Sequence, residues 1–70
     1  MGRTKAAWEQ VVLADLRRTN GSTSIFAVTE NRFTAAAFTR LEERGVIRRD
    51  RTQESGFPCM KFIIEERLLN

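Results

Sequence analysis

Histidine and tyrosine are absent from this 70-residue chain, and cysteine and proline occur once each, as Cys59 and Pro58. Without histidine there can be no Ser-His-Asp triad and no Cys2His2 zinc finger. One thiol can neither close an internal disulfide nor build a cysteine cage, so no metal or other cofactor is expected. A lone thiol suits a reducing compartment. Long apolar runs are missing too. The longest is four residues, far short of a bilayer span, and the N-terminal stretch has no signal-peptide core. These absences set the expectation of a cytoplasmic protein, nucleoid-associated if prokaryotic. No carboxylate sits in an apolar stretch beside a nucleophile or base, and Cys59 has only Lys61 as a nearby cation. It reads as a partly buried strand cysteine, and no enzymatic activity is expected.

What is present suits one small folded domain, residues 1–70, with a core over about 5–64 and a short tail at 65–70. Hydrophobic residues make up 41% and charged residues 30%, the balance of a globular chain. The core must be small at this length, so no small-molecule ligand is expected. Net charge is +3, and the excess is concentrated in residues 32–51, where six arginines face Glu42, Glu43 and Asp50. Such a basic stretch suits an acidic partner.

The spacing predicts a helix from about Lys5 to Arg18, with Thr4 as its N-cap. Trp8, Val12 and Leu16 recur on one stripe with Val11 and Leu13 beside it, and Trp8 is expected as a core anchor. Arg17 and Arg18 complement the negative helix end, and Asn20-Gly21 stops it. Residues 22–29 are ambiguous. Ile25-Phe26-Ala27-Val28 fits a short strand or a turn or two of helix capped by Ser22 or Ser24. A second long helix begins between Thr29 and Arg32 and ends at Arg44, where Gly45 supplies the left-handed residue that follows. At about 100° per residue, Phe33, Thr34, Ala37, Phe38 and Leu41 share its buried face. Arg32, Ala35, Ala36, Thr39, Arg40 and Glu43 share the outward one. Small residues at the centre of that face let the backbone approach another surface closely. Beyond Gly45, a strand over 46–51, a polar tip and a returning strand over 59–64 make a hairpin. Met60, Phe62 and Ile64 are expected over the helices, with Cys59, Lys61 and Ile63 on the other face.

Helix, short apolar element, helix, hairpin is an order similar to that of the winged helix-turn-helix superfamily. The run Phe38-Thr39-Arg40-Leu41-Glu42-Glu43-Arg44-Gly45-Val46-Ile47-Arg48-Arg49-Asp50 resembles that superfamily's passage from recognition helix to first wing strand. The resemblance covers roughly residues 5–64. It implies an α+β winged-helix fold ending in a C-terminal β-hairpin wing. About a dozen residues separate Arg18 from the recognition helix, so the second helix is either shortened to about Ser24–Val28 or replaced by a strand.

The function implied is sequence-specific binding of double-stranded DNA, as a small transcriptional regulator of microbial, plasmid or phage type. The recognition helix, about 30–44, would lie in the major groove, and the wing, 46–64, on the backbone or in the minor groove. Arg32 suits a guanine edge, and Ala35, Ala36 and the Thr39 methyl suit thymine methyls, while Arg40 would meet a phosphate. Arg49, Arg51, Thr52 and Gln53 of the wing would reach the backbone or minor groove, and Lys5 and Arg3 at the first helix would add phosphate contacts. The alternative is a protein-interaction module on the same frame, an adaptor or inhibitor that does not bind DNA. Exposed Phe57, Leu68 and Leu69 would then face a partner, and Leu68 and Leu69 would equally serve a homodimer.

Overall fold

The computed structural model describes residues 2–53 and 56–69, with the side chains of Gln53 and Leu69 outside that description. Helix α1 runs Lys5–Arg18, started by the Thr4 hydroxyl, which accepts from the Ala7 amide at 3.1 Å. Two backbone bonds close it: Gly21 N–H donates to Leu16 C=O and Asn20 N–H to Arg17 C=O. Asn20 takes the left-handed conformation, φ 56°, that this closure requires. Gly21, φ 89°, has a second constraint. A Cβ there would overlap the Phe62 carbonyl oxygen, because the strand carrying Phe62 passes directly against it.

Residues 22–29 are both a strand and a helix. Strand β1, Ser22–Ser24, leads straight into α2, the single turn Ile25–Val28, whose N-cap is Ser24. Helix α3, Arg32–Glu43, starts where the Asn31 side chain accepts from the Thr34 amide at 2.9 Å. Its exit repeats the closure of α1, with Val46 N–H on Leu41 C=O, Gly45 N–H on Glu42 C=O, and Gly45 at φ 75°.

Strand β2 covers only Ile47–Arg49, shorter than the 46–51 expected. The Asp50 carboxylate ends it by accepting from both the amide and the hydroxyl of Thr52, which turns Arg51–Gln53 into a 3-10 helix. Strand β3, Cys59–Ile64, lies between the other two in an antiparallel sheet of order β1-β3-β2. Its first half pairs with β1, Ser22 opposite Lys61, and its second half with β2, Ile47 opposite Ile64. A 3-10 turn, Glu66–Leu69, follows.

The result is a small α+β domain of three helices on a three-stranded sheet. Its core joins Val12, Leu13 and Leu16 of α1 to Ala37, Phe38 and Leu41 of α3 and to Val28, Val46, Ile47 and Phe62. Burial of each large member contributes about 1.5–3 kcal/mol, and the Phe38 and Phe62 rings meet at 5.5 Å. Met60 and Ile64 pack on this core as the strand alternation predicts. Two expectations need correction. Cys59 is exposed, because it opens β3 on the face opposite Met60, Phe62 and Ile64, which pack on the core. Phe33 is 47% exposed, because it stacks on Trp8 at the rim of the α1–α3 contact. Trp8 itself is half-buried and packs against the core from that rim. No helix among the described residues is long and apolar enough to cross a membrane.

Candidate nucleic-acid interface

The cations divide by whether a carboxylate neutralises them. Arg17 pairs with Glu66, Arg18 with Asp15, and Arg48 with Glu65. Arg40 and Arg44 both pair with Glu9, and the Lys61 ammonium donates to the Asn20 carbonyl at 2.6 Å. Arg3, Lys5 and Arg32 form no ion pair among the described residues. All three lie around one cleft between the N-terminal ends of α1 and α3. Among the described residues positive charge is therefore compensated over much of the molecule and left open at this end and at Arg51 of the hairpin.

Aromatic rings hold two of these cations in place. Trp8 and Phe33 stack with centroids 5.6 Å apart and planes 11° from parallel. The Arg3 guanidinium lies 4.9 Å from the Trp8 ring centre, and that of Arg32 lies 5.0 Å from the Phe33 ring centre. A guanidinium resting on a ring face keeps its N–H donors free at its edges while losing much of its rotational freedom. Both arginines are thus pre-positioned donors for oxygen anions.

Glu9 fixes α3 to α1. It lies at the same helical phase as Val12, Leu13 and Leu16, so its carboxylate enters the interface, where the side chain is only 12% exposed. Arg40 Nε donates to Oε2 at 2.9 Å and Arg44 Nη2 donates to Oε1, while Arg40 Nη2 reaches the Lys5 carbonyl at 3.3 Å. The Arg44 bond is the main cause holding the Glu9 carboxyl below the ordinary glutamate range, and Arg40 adds to it against the opposing effect of burial. Arg40, expected at a phosphate, is therefore engaged within the fold. Sequence reasoning overlooked Glu9, although an acidic residue in an apolar stripe was a legible signal, as were arginines four apart on the facing helix.

The other expected residues are distributed as follows. Arg32, Ala36 and Thr39 are exposed on α3 and Ala35 is half-buried, with the Thr39 hydroxyl donating to the Ala35 carbonyl. Lys5, Arg32, Ala36 and Arg40 come together at the cleft. Arg49, Arg51 and Thr52 are exposed on the hairpin, away from that cluster, with Thr52 held by Asp50. The side chains of Gln53 and Leu69 fall outside the described residues. Leu68 is half exposed. A separate apolar pair, Phe57 at 83% exposed and Phe26 at 66%, meets edge to face at 5.9 Å, with Phe57 in the connection that leads into β3.

Among the described residues no cluster of acidic and cysteine side chains is arranged to hold a metal ion. No family model, curated protein or solved structure matches this chain at a significant level.

Proposed function

We propose that this protein binds double-stranded DNA as a small sequence-specific regulator. Helix α3 enters the major groove, and the hairpin β2–β3 lies on the backbone or in the minor groove. The observation that carries the reading is the set of uncompensated cations, Arg3, Lys5 and Arg32, at the start of a helix whose outward face is Ala35, Ala36 and Thr39. Cations there meet phosphates, and small side chains beside them admit the helix to base edges. The element order and the central place of β3 are compatible with the winged helix-turn-helix arrangement that the sequence resembles. Arg51 of the hairpin is available as a further phosphate contact.

Fluorescence anisotropy with a mixed-sequence duplex tests this at low and then moderate salt. Three to five phosphate contacts give a log–log salt slope of about −3 to −4.5. Replacing Lys5 and Arg32 together by glutamine lowers the slope by about 2 with the melting temperature unchanged. Arg40 is unsuitable for this purpose because its replacement disturbs the Glu9 pair. Absence of binding at low salt refutes the proposal.

One observation favours a second reading, the exposed Phe26–Phe57 pair, which suits a protein partner. On that reading Phe57→Ser abolishes capture of the partner, and the duplex titration is negative.

A further inference from the structure

The cleft between the N-terminal ends of α1 and α3 holds more than phosphate recognition requires. It is a groove open to solvent with a volume of about 400 Å³, within the size range of small-molecule sites. Its floor is apolar, made of the edges of the stacked Trp8 and Phe33 rings, whose outer faces carry the Arg3 and Arg32 guanidiniums, and of the exposed Ala36 methyl. Its rim is cationic, formed by Arg3, Lys5 and Arg32, with Arg40 beside them already bound to Glu9. No carboxylate lines it among the described residues. The expectation that so small a core leaves no room for a ligand does not bear on this cleft, which lies between helices at the surface.

These features together select an occupant. Three like charges around an apolar floor repel one another, and an anion placed among them relieves the repulsion. A bare phosphate would satisfy the rim but leave the floor wet. A neutral apolar molecule would cover the floor but leave the charges unrelieved. We propose that this cleft binds a small organic anion with a flat apolar body, an aromatic carboxylate, whose ring packs against the edges of Trp8 and Phe33 and the Ala36 methyl and whose carboxylate accepts from Arg3, Lys5 or Arg32. A second claim rests on the DNA reading of the previous subsection. Because Lys5, Arg32 and Ala36 belong to both surfaces, carboxylate and duplex exclude each other.

Trp8 is the only tryptophan, so its indole N–H gives a single resonance that reports the floor of the cleft. The ¹⁵N-labelled protein is titrated with 2-naphthoate, with neutral 2-naphthamide and with inorganic phosphate. Naphthoate produces saturable shifts at the Trp8 indole and at the amides of Lys5–Trp8 and Arg32–Ala36. Naphthamide and phosphate each bind at least tenfold more weakly. Exchanging Arg3 and Arg32 together for glutamine weakens naphthoate at least tenfold while leaving the melting temperature unchanged. Absence of a saturable shift at millimolar naphthoate overturns the proposal, as do shifts centred elsewhere. Equal affinity for naphthamide removes the role of the rim, and equal affinity for phosphate removes that of the floor; either result also overturns it. In a separate anisotropy experiment, naphthoate displaces labelled duplex. If the duplex does not bind at all, the DNA reading fails while the naphthoate titration still decides the cleft. If both bind without competing, the mutual exclusion is refuted.

Discussion

Removing one charge at the α1–α3 interface should weaken the fold more than any exposed ion pair does. Glu9→Gln keeps the shape of the side chain but leaves Arg40 and Arg44 without a carboxylate. Hydrogen bonds to charged groups contribute about 1.5–3 kcal/mol each, and breaking a fully buried pair costs about 3–5 kcal/mol. The arginines are not fully buried, at 27% and 54% exposed, so water recovers part of the loss. The expected destabilisation is about 2 kcal/mol, which for a domain of this size lowers the melting temperature by about 8–16 °C. Urea unfolding followed through Trp8 fluorescence measures it, with a lower midpoint and an unchanged slope. Glu66→Gln, which breaks the exposed pair with Arg17, is the control, with an expected loss of less than about 1 kcal/mol. If Glu9→Gln stays within about 0.5 kcal/mol of the parent protein, solvent replaces the pair fully and the structural role assigned to Glu9 is refuted.

Two further outcomes follow from geometry and charge. Gly21→Ala drives a Cβ into the Phe62 carbonyl and should cost more than about 3 kcal/mol, a large part of the stability of so small a domain. Gly45→Ala meets nothing closer than Leu68 Cδ1 at 3.9 Å and should cost only the left-handed backbone strain, about 1–2 kcal/mol. Equal losses in urea melts would contradict the close approach at Gly21. Glu9, Asp50 and Glu65 all have carboxyls held below their ordinary range, mainly by Arg44, by the Thr52 hydroxyl and by Arg48 respectively. The unfolded chain therefore binds more protons in the acid range. Stability should be level above about pH 4.5 and fall as pH drops through the folded-state values. Acid titration of the melting temperature checks this, and Glu9→Gln should flatten part of the fall.

Both long helices were legible because each signal for them is local. Thr4 and Gly45 mark boundaries through bonds made within a few residues, and the apolar stripes settle which faces are buried. The 22–29 segment was not legible because a three-residue strand has no existence apart from its partner. Ser22-Thr23-Ser24 is extended only because Cys59-Met60-Lys61 lies alongside it, nearly forty residues away. The end of β2 depends on a side chain, Asp50, folding back onto Thr52 rather than on strand propensity. At the candidate site, the outward set Arg32, Ala36 and Thr39 follows from helical phase alone. Phe33 and Arg40 stand at the border of that face, where phase does not decide. Their surroundings depend on how α1 crosses, which brings Trp8 to one and Glu9 to the other.

The anchoring of α3 is one-sided, and this matters for how the protein can change over time. Its fixings to the rest of the molecule run through Phe33, Ala37, Phe38, Leu41, Arg40 and Arg44. The outward positions 35, 36, 39 and 43 make no hydrogen bond or ion pair beyond their own helix among the described residues. On the DNA reading proposed above, stability and target preference are thus written on different residues of the same helix. If that reading holds, a lineage can rewrite what this face recognises by single substitutions that leave the fold intact, and a combinatorial library confined to those four positions should yield folded members with divergent targets.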